Sequence, residues 1–354
     1  MSILQDCLAA ITPVDEQARA AAEARQPRLT KPAGALGGLE TLGNQLSAIS
    51  GQCPPPVPER ALVCVFAADH GVQAQRVSPW PQEVTVQMAA NIVGGGAGVN
   101  VLARSAGADV ATIDVGMLAP VAGCRDERVA PGTADFTAGP AMTAEQAVAA
   151  VEVGIRTARR AVADGYRALV PGEVGIGNTT PAAALVCAMT GALPQEVAGR
   201  GAGADDTMLA HKIDVIRIGL ERHGLATGRG AQDPLRTLAC VGGFEHAAVV
   251  GLLLGAAEAR VPVVLDGVIA CSAALVAVAL EPKVRGYLVA GHDGAEPAIR
   301  CATGSLGLRP LLSLGLRLGE GTGGALALPI VAAAARVLGE MATFDDAGVT
   351  EEHA

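Results

Sequence analysis

The chain has few aromatic residues: one tryptophan, two tyrosines and four phenylalanines, 2% of 354 residues. Side chains on which bases could stack are therefore scarce, and no run rich in Lys or Arg accompanies them, which argues against nucleic acid as a partner. Positive charge is also in deficit. Lys and Arg number 26 against 35 Asp and Glu, and the net charge of −9 mainly serves solubility. None of the eight cysteines, at 7, 53, 64, 124, 187, 240, 271 and 301, belongs to a CxxC pair. Most stand in apolar surroundings such as Val63-Cys64-Val65, where Cys behaves as a small hydrophobe. That pattern argues against a zinc site or a disulfide framework and fits a reducing compartment, the cytoplasm. The longest apolar runs, near 247–257 and 267–280, fall short of the about 18 residues that a membrane span needs. The opening "MSILQDCLAAITPVDEQ" carries acids early and no basic stretch, unlike a signal peptide.

Half of the residues are hydrophobic, mostly Ala, Val and Leu, and glycines number 45. Such a composition suits small-residue helices packed closely on a buried sheet. The segments "ALVCVFA" (61–67), "ADVATIDVG" (108–116), "RALVPGE", "RVPVVLDG" and "VRGYLVAGH" read as short buried strands. Between them lie helical patterns over 143–164, 205–222 and 322–340, and in "NTTPAAALVCAM", "HAAVVGLLLGAA" and "VIACSAALVAVAL". Thr143 and Gln146 form a capping-box pair at the first of these. Strands alternating with helices predict an α/β fold with a parallel sheet covered on both faces. We read residues 1–354 as one such domain, with residues 1–50 as an N-terminal helical extension. Sheets of this kind bind ligands beyond the carboxyl ends of their strands. The polar clusters fall there: Asp69-His70, Asp114, Glu173, Asp266 and His292-Asp293.

Three segments carry chemistry. In "PGEVGIGNTTPAAA" (171–184), Gly172, Gly175 and Gly177 free the backbone, and Asn178, Thr179 and Thr180 open a helix. Amides at a helix N-terminus attract anions, and glycines admit an oxyanion closely. A glycine turn with a helix cap would look the same. "GRGAGADD" (199–206), with Gly201 and Gly203, leads into a second helix that carries Lys212. Two such loops and a lysine suit a phosphate, although Asp205 and Asp206 also complement a helix N-terminus. In "RLGEGTGGALAL" (317–328), Glu320 is the single acid between Glu296 and Glu340. A carboxylate in an apolar setting has a raised pKa and suits proton removal near neutrality, unless it merely caps the following helix. Asp69, His70, Asp114, His292 and Asp293 offer hard ligands for a divalent ion. Trp80 and Met88 offer either an aromatic-binding pocket or core packing.

Taken in order, "KPAGALGGLE", "ADHGV", "SPWPQEVTVQM", "GGGAGVNVLA", "GEVGIGNTTPAAA", "GRGAGADD", "VGGFEHA", "VPVVLDG", "GHDGAEP", "LRLGEGTGGALAL" and "EMATFDDAGV" span nearly the whole chain. With these motifs the sequence resembles the nicotinate-nucleotide–dimethylbenzimidazole phosphoribosyltransferase family of cobalamin biosynthesis. The resemblance implies a Rossmann-like parallel sheet, a smaller N-terminal helical part and a homodimer, with no metal or organic cofactor. It also implies a reaction: 5,6-dimethylbenzimidazole or a similar base displaces nicotinate from nicotinate mononucleotide and gives α-ribazole 5′-phosphate. Glu320 takes the place of the family's base and Glu173 that of its second active-site carboxylate. Substrate contacts are implied for Ser78, Trp80, Gln87 and Met88, for Gly175, Gly177, Asn178, Thr179 and Thr180, for Gly201, Gly203 and Lys212, and for Leu318.

The sequence departs from the family pattern at three places. Ala202 stands where the second loop usually has threonine. His292-Asp293-Gly294 replaces His-Arg-Ser. Trp80 takes a position often held by a smaller aromatic. Two other functions are compatible with parts of the sequence: a metal-dependent phosphohydrolase built on the Asp/His clusters, and a nucleotide-binding protein without turnover.

Overall fold

A computed structural model describes residues 2–226 and 228–350. Its centre is a six-stranded parallel sheet of β1 (Ala61–Ala68), β2 (Asp109–Gly116), β3 (Arg125–Asp126), β4 (Ala168–Val174), β5 (Val263–Leu265) and β6 (Leu288–Ala290). The strand order is β3-β2-β1-β4-β5-β6, the doubly wound order of dinucleotide-binding folds. The predicted α/β class is therefore the observed one. The two-residue β3 has no counterpart in the sequence reading, since two residues carry no periodicity.

All eight residues of β1 are buried. They alternate between two cores, as a pleat with a period of two requires. Leu62, Cys64, Phe66 and Ala68 face one core. Ala61, Val63, Val65 and Ala67 face the other. Helices Ala144–Ala163, Thr179–Thr190, Phe244–Glu258 and Val268–Leu280 fill the first side. Helices Gly38–Ser50, Val84–Val93, Gly98–Ser105 and Thr322–Glu340 fill the second. The helix expected over 143–164 is observed as Ala144–Ala163, with the Thr143/Gln146 capping box intact. The segment read as an N-terminal helical extension contains the α-helices Ile3–Ala10, Glu16–Arg25 and Gly38–Ser50.

The scarcity of large side chains has a structural counterpart where Ala144–Ala163 crosses Phe244–Glu258. A Cβ added to Gly154 would stand 2.6 Å from the Leu252 nitrogen and would overlap the Ala248 carbonyl oxygen. One added to Gly251 would stand 2.9 Å from the Ile155 nitrogen and would overlap the Val151 carbonyl oxygen. Here backbone packs on backbone. The neighbouring atoms belong to rigid helices, so an added methyl cannot be accommodated by a rotamer change. At an open helix position Gly→Ala gains about 1 kcal/mol. Gly251→Ala should instead lose about 1–3 kcal/mol through overpacking, read as a lower denaturation midpoint in urea. A midpoint that rises would mean that the two helices are not in this contact.

Candidate active site

A cavity of about 440 Å³ opens beyond the carboxyl ends of the strands. Glu173 and Gly175 reach it from β4, Gly267 from β5 and His292 from β6. Trp80, Val84 and Met88, from the segment after β1, supply apolar wall, as do Val268, Ile269 and Ile299. The cavity thus lies at the crevice beside β1 and β4, where the strand order reverses.

Glu320 lines this cavity and is only 4% exposed. Its φ of 64° lies in the left-handed region, costly for a residue with a side chain, at about 1–3 kcal/mol. Three features hold it there. The carbonyl of Glu320 lies against Gly172 of β4, where a Cβ would overlap it. Gly321, at φ 91°, lies 3.3 Å (Cβ position to Cα) from the same Gly172 and could not carry a side chain past Val63. Asp266, at the end of β5, accepts hydrogen bonds from the amides of Gly321 (3.1 Å), Gly323 (2.7 Å) and Gly324 (3.2 Å). This carboxylate caps the helix Thr322–Glu340 from outside and fixes the turn that presents Glu320.

The Glu320 carboxylate accepts one hydrogen bond, from the Val99 amide at 3.3 Å, in the first turn of helix Gly98–Ser105. Burial pushes its pKa up, the Val99 amide opposes this, and the charge of Asp266 adds to the rise. Glu173 shows the same trend more strongly. Burial, with Asp266 and Glu245 nearby, pushes it up to about 8, against hydrogen bonds from Asn178 and the Glu320 backbone. The Asn178 amide donates to Glu173 at 2.5 Å. Near neutral pH, Glu173 is thus mostly a neutral acid. No Lys, Arg or His forms an ion pair with either carboxylate among the described residues.

The two glycine-rich loops meet at the cavity. Gly175, Gly177, Asn178 and Thr179 line it from the first, and Gly201 from the second. Ser78, Trp80, Met88 and Leu318 line it as well. Four expected residues do not. Lys212 is buried behind the loops, and its ammonium donates to Thr179 Oγ1 (2.6 Å) and the Gly199 carbonyl (3.0 Å). It braces both loops from below. Burial lowers its pKa to about 8, with Glu296 acting in the other direction. Thr180 points into the core with its hydroxyl unpartnered. Gly203 faces open space, and Gln87 is exposed one residue before Met88 on the same helix, about 100° away around its axis.

The five-residue metal constellation is dispersed. Asp69 accepts from the Leu118 amide, Asp114 pairs with Arg128, and Asp293 with Arg300. His292 lies 3.8 Å from Asp266, and His70 lies 2.7 Å from Glu245. Among the described residues one group is compact enough to hold an ion: His70, Glu245 and His246, fully buried. Glu245 Oε1 is 2.7 Å from His70 Nε2 and 2.9 Å from His246 Nδ1. The first contact is a hydrogen bond, whereas both ring nitrogens of His246 are buried without a hydrogen-bond partner among the described residues. Burial pushes the Glu245 carboxyl up, but the two histidines outweigh it and hold the group well below the usual range.

Sequence reasoning assigned no substrate contact to Arg200, Arg317, Glu296 or His292, all of which line the cavity. Glu296 accepts the Gly201 amide at 2.8 Å and so anchors the second loop. Arg200 pairs with Asp206. Arg317 donates to the Gly201 carbonyl at 3.4 Å and forms no ion pair among the described residues. Its signal was present in the sequence, three positions before Glu320 in the same motif.

Comparison with known proteins agrees with this architecture. Residues 11–349 match a sequence-family model described as phosphoribosyltransferase. The chain is 53% identical to the nicotinate-nucleotide–dimethylbenzimidazole phosphoribosyltransferase of Salinispora tropica, over 99% of this chain and 100% of the relative. It is 48% identical to the protein of that name from Geotalea uraniireducens, over 99% of each. A crystal structure of the Thermus thermophilus enzyme superposes with a TM-score of 0.89 at 44% identity, covering 96% of this chain and 100% of that one.

Proposed function

The chain belongs to the nicotinate-nucleotide–dimethylbenzimidazole phosphoribosyltransferase family, and from that membership we infer that it transfers the phosphoribosyl group of nicotinate mononucleotide to 5,6-dimethylbenzimidazole. The observation that carries the assignment of roles is Glu320, a buried carboxylate with no counter-ion among the described residues, on the wall of an apolar cavity. One ring nitrogen of the base attacks C1′. The bond from C1′ to the pyridinium nitrogen breaks, and its electron pair neutralises that nitrogen, so nicotinate leaves without needing a proton. The other ring nitrogen of the base gives its proton to Glu320.

The flat, nearly neutral base fits the apolar side of the cavity, against Val84, Met88 and Trp80. The nucleotide brings two anionic groups, the phosphate and the nicotinate carboxylate. The amides of the two glycine-rich loops, braced by Lys212, suit the phosphate, and Arg317, without an ion pair among the described residues, is placed for either anion. An ionised Glu173 would repel such a ligand. Kept protonated by its surroundings, it can hydrogen-bond the ribose or the departing ring instead.

We also place the protein in the cytoplasm and read it as a homodimer formed from one domain with residues 1–50 as an extension. Eight free thiols support the first reading. The second is supported by helices Val84–Val93 and Gly98–Ser105, where Val93 and Val101 are exposed, and by exposed Leu118.

Glu320→Gln keeps the shape of the side chain and removes the base. Turnover should fall by roughly 10²–10⁴, while calorimetry shows nicotinate mononucleotide binding little changed. Turnover near the wild-type rate would remove Glu320 from this role.

The rate should also follow a bell-shaped pH profile. Glu320 accepts a proton only when ionised, so kcat/KM falls as pH drops through its raised pKa. On the alkaline side, Glu173 gains charge and Lys212 loses it as pH rises through about 8. Both changes oppose an anionic nucleotide. Glu173→Gln should leave the acid limb in place and make the alkaline limb shallower. A kcat/KM that stays level through about pH 8 would contradict this account of Glu173.

A further inference from the structure

We propose that Trp80 is a latch that couples binding of the incoming base to binding of the nucleotide, a proposal that rests on the substrate placement given above. Trp80 is the single tryptophan of the chain, and it is 49% exposed. Its ring borders the apolar side of the cavity together with Val84 and Met88. Its indole N–H reaches a partner 122 positions away, donating to the carbonyl of Ala202 in the second glycine-rich loop at 3.0 Å. Two of the three positions at which the sequence departs from its family pattern are thus joined to one another.

Both ends of this link are tied to substrate-facing groups. The Trp80 carbonyl accepts from the Gln73 side-chain amide at 2.8 Å, and the Trp80 amide donates to Ser78 Oγ at 3.3 Å. Gln73 Oε1 lies 3.1 Å from where a Cβ on Gly177 would stand, so the same side chain also touches the first loop. At the far end, Gly201, the neighbour of Ala202, is gripped through its amide by Glu296 and through its carbonyl by Arg317. An indole that packs on a planar base is held in one orientation, since offset stacking fixes the relative position of two rings. Held in that orientation, its N–H keeps the Ala202 carbonyl, and with it the loop, in place for the phosphate. A nucleotide on the loop fixes the carbonyl and so the indole. Linkage makes the effect reciprocal. A single exposed hydrogen bond contributes little net free energy, so the latch can open to admit either ligand.

The test uses the full chain in the Glu320→Gln background, where both substrates can be bound without rapid turnover. Calorimetry measures dimethylbenzimidazole affinity with and without saturating nicotinate mononucleotide, and then repeats the pair with Trp80→Phe added, which keeps a ring and removes the N–H donor. The base should bind about fivefold or more tightly when the nucleotide is present, and this ratio should fall towards one in the Trp80→Phe variant. An indole with a merely structural role would weaken both affinities and leave their ratio unchanged, and that result would overturn the latch. A second reading needs no variant at position 80. Emission from the lone tryptophan of the wild-type protein should shift when nicotinate mononucleotide alone is added, and unmoved emission at saturation would also overturn the proposal. Wild-type turnover is measured alongside. Absence of product from the two substrates would refute the assigned reaction, whereas product formation with unchanged coupling would refute the latch alone.

Discussion

The arrangement rests on a carboxylate kept from water without a cation among the described residues. Glu320 is buried, has one backbone amide as hydrogen-bond partner, and sits at a backbone angle that side chains disfavour. Left alone, such a residue would turn outward or the chain would choose glycine. The surroundings prevent both. Gly172 lets the Glu320 peptide lie directly on β4, and Asp266 collects the three amides that begin the next helix. The strained residue is thus fixed by contacts on either side of it, and the strain is compensated by the capped helix and the packed sheet. A second acid near Glu320 would ordinarily defeat the design by repulsion. Here Asp266 directs its charge to backbone donors, and its nearness only raises the proton affinity of Glu320, which is the direction a base requires.

That constraint explains the electrostatic division of the cavity. One side is apolar and suits a neutral ring. The other is built from backbone amides, with Lys212 behind them and Arg317 beside them. Between them, Glu173 is held mostly neutral by burial and neighbouring acids. The substrate carries a cation, the pyridinium, and two anions. A site with a fixed full negative charge at Glu173 would hold the pyridinium against departure and repel the phosphate. A neutral acid does neither. Alignment of two bound rings then supplies a large part of the barrier reduction, roughly 7–11 kcal/mol for well-oriented reactants.

Much of this was legible in the sequence where chemistry and local pattern coincide. The Val-rich runs ending in Asp69, Glu173, Asp266 and His292 located the sheet and its ligand-binding edge, because a buried strand must end where polar residues begin. Glu320 stood out because an acid among glycines and apolar residues is costly unless it is used. Contacts made across the fold were not legible. Lys212 looked like a phosphate ligand from its place after a glycine-rich loop, yet its ammonium is satisfied by Thr179 and Gly199 beneath that loop. Helix Gly98–Ser105, which gives Glu320 its single amide, follows a run of glycines that masks its start. The bond from Trp80 to Ala202 links loops more than a hundred positions apart, and no spacing rule anticipates it.

The central claim is that the incoming base displaces nicotinate directly while Glu320 removes one proton. Attack from the face opposite the pyridinium must invert C1′. The measurement that tests this most directly is nuclear magnetic resonance of the product formed from β-nicotinate mononucleotide and 5,6-dimethylbenzimidazole by the purified protein. The account predicts an α-linked ribotide, and a β-linked product would contradict single displacement.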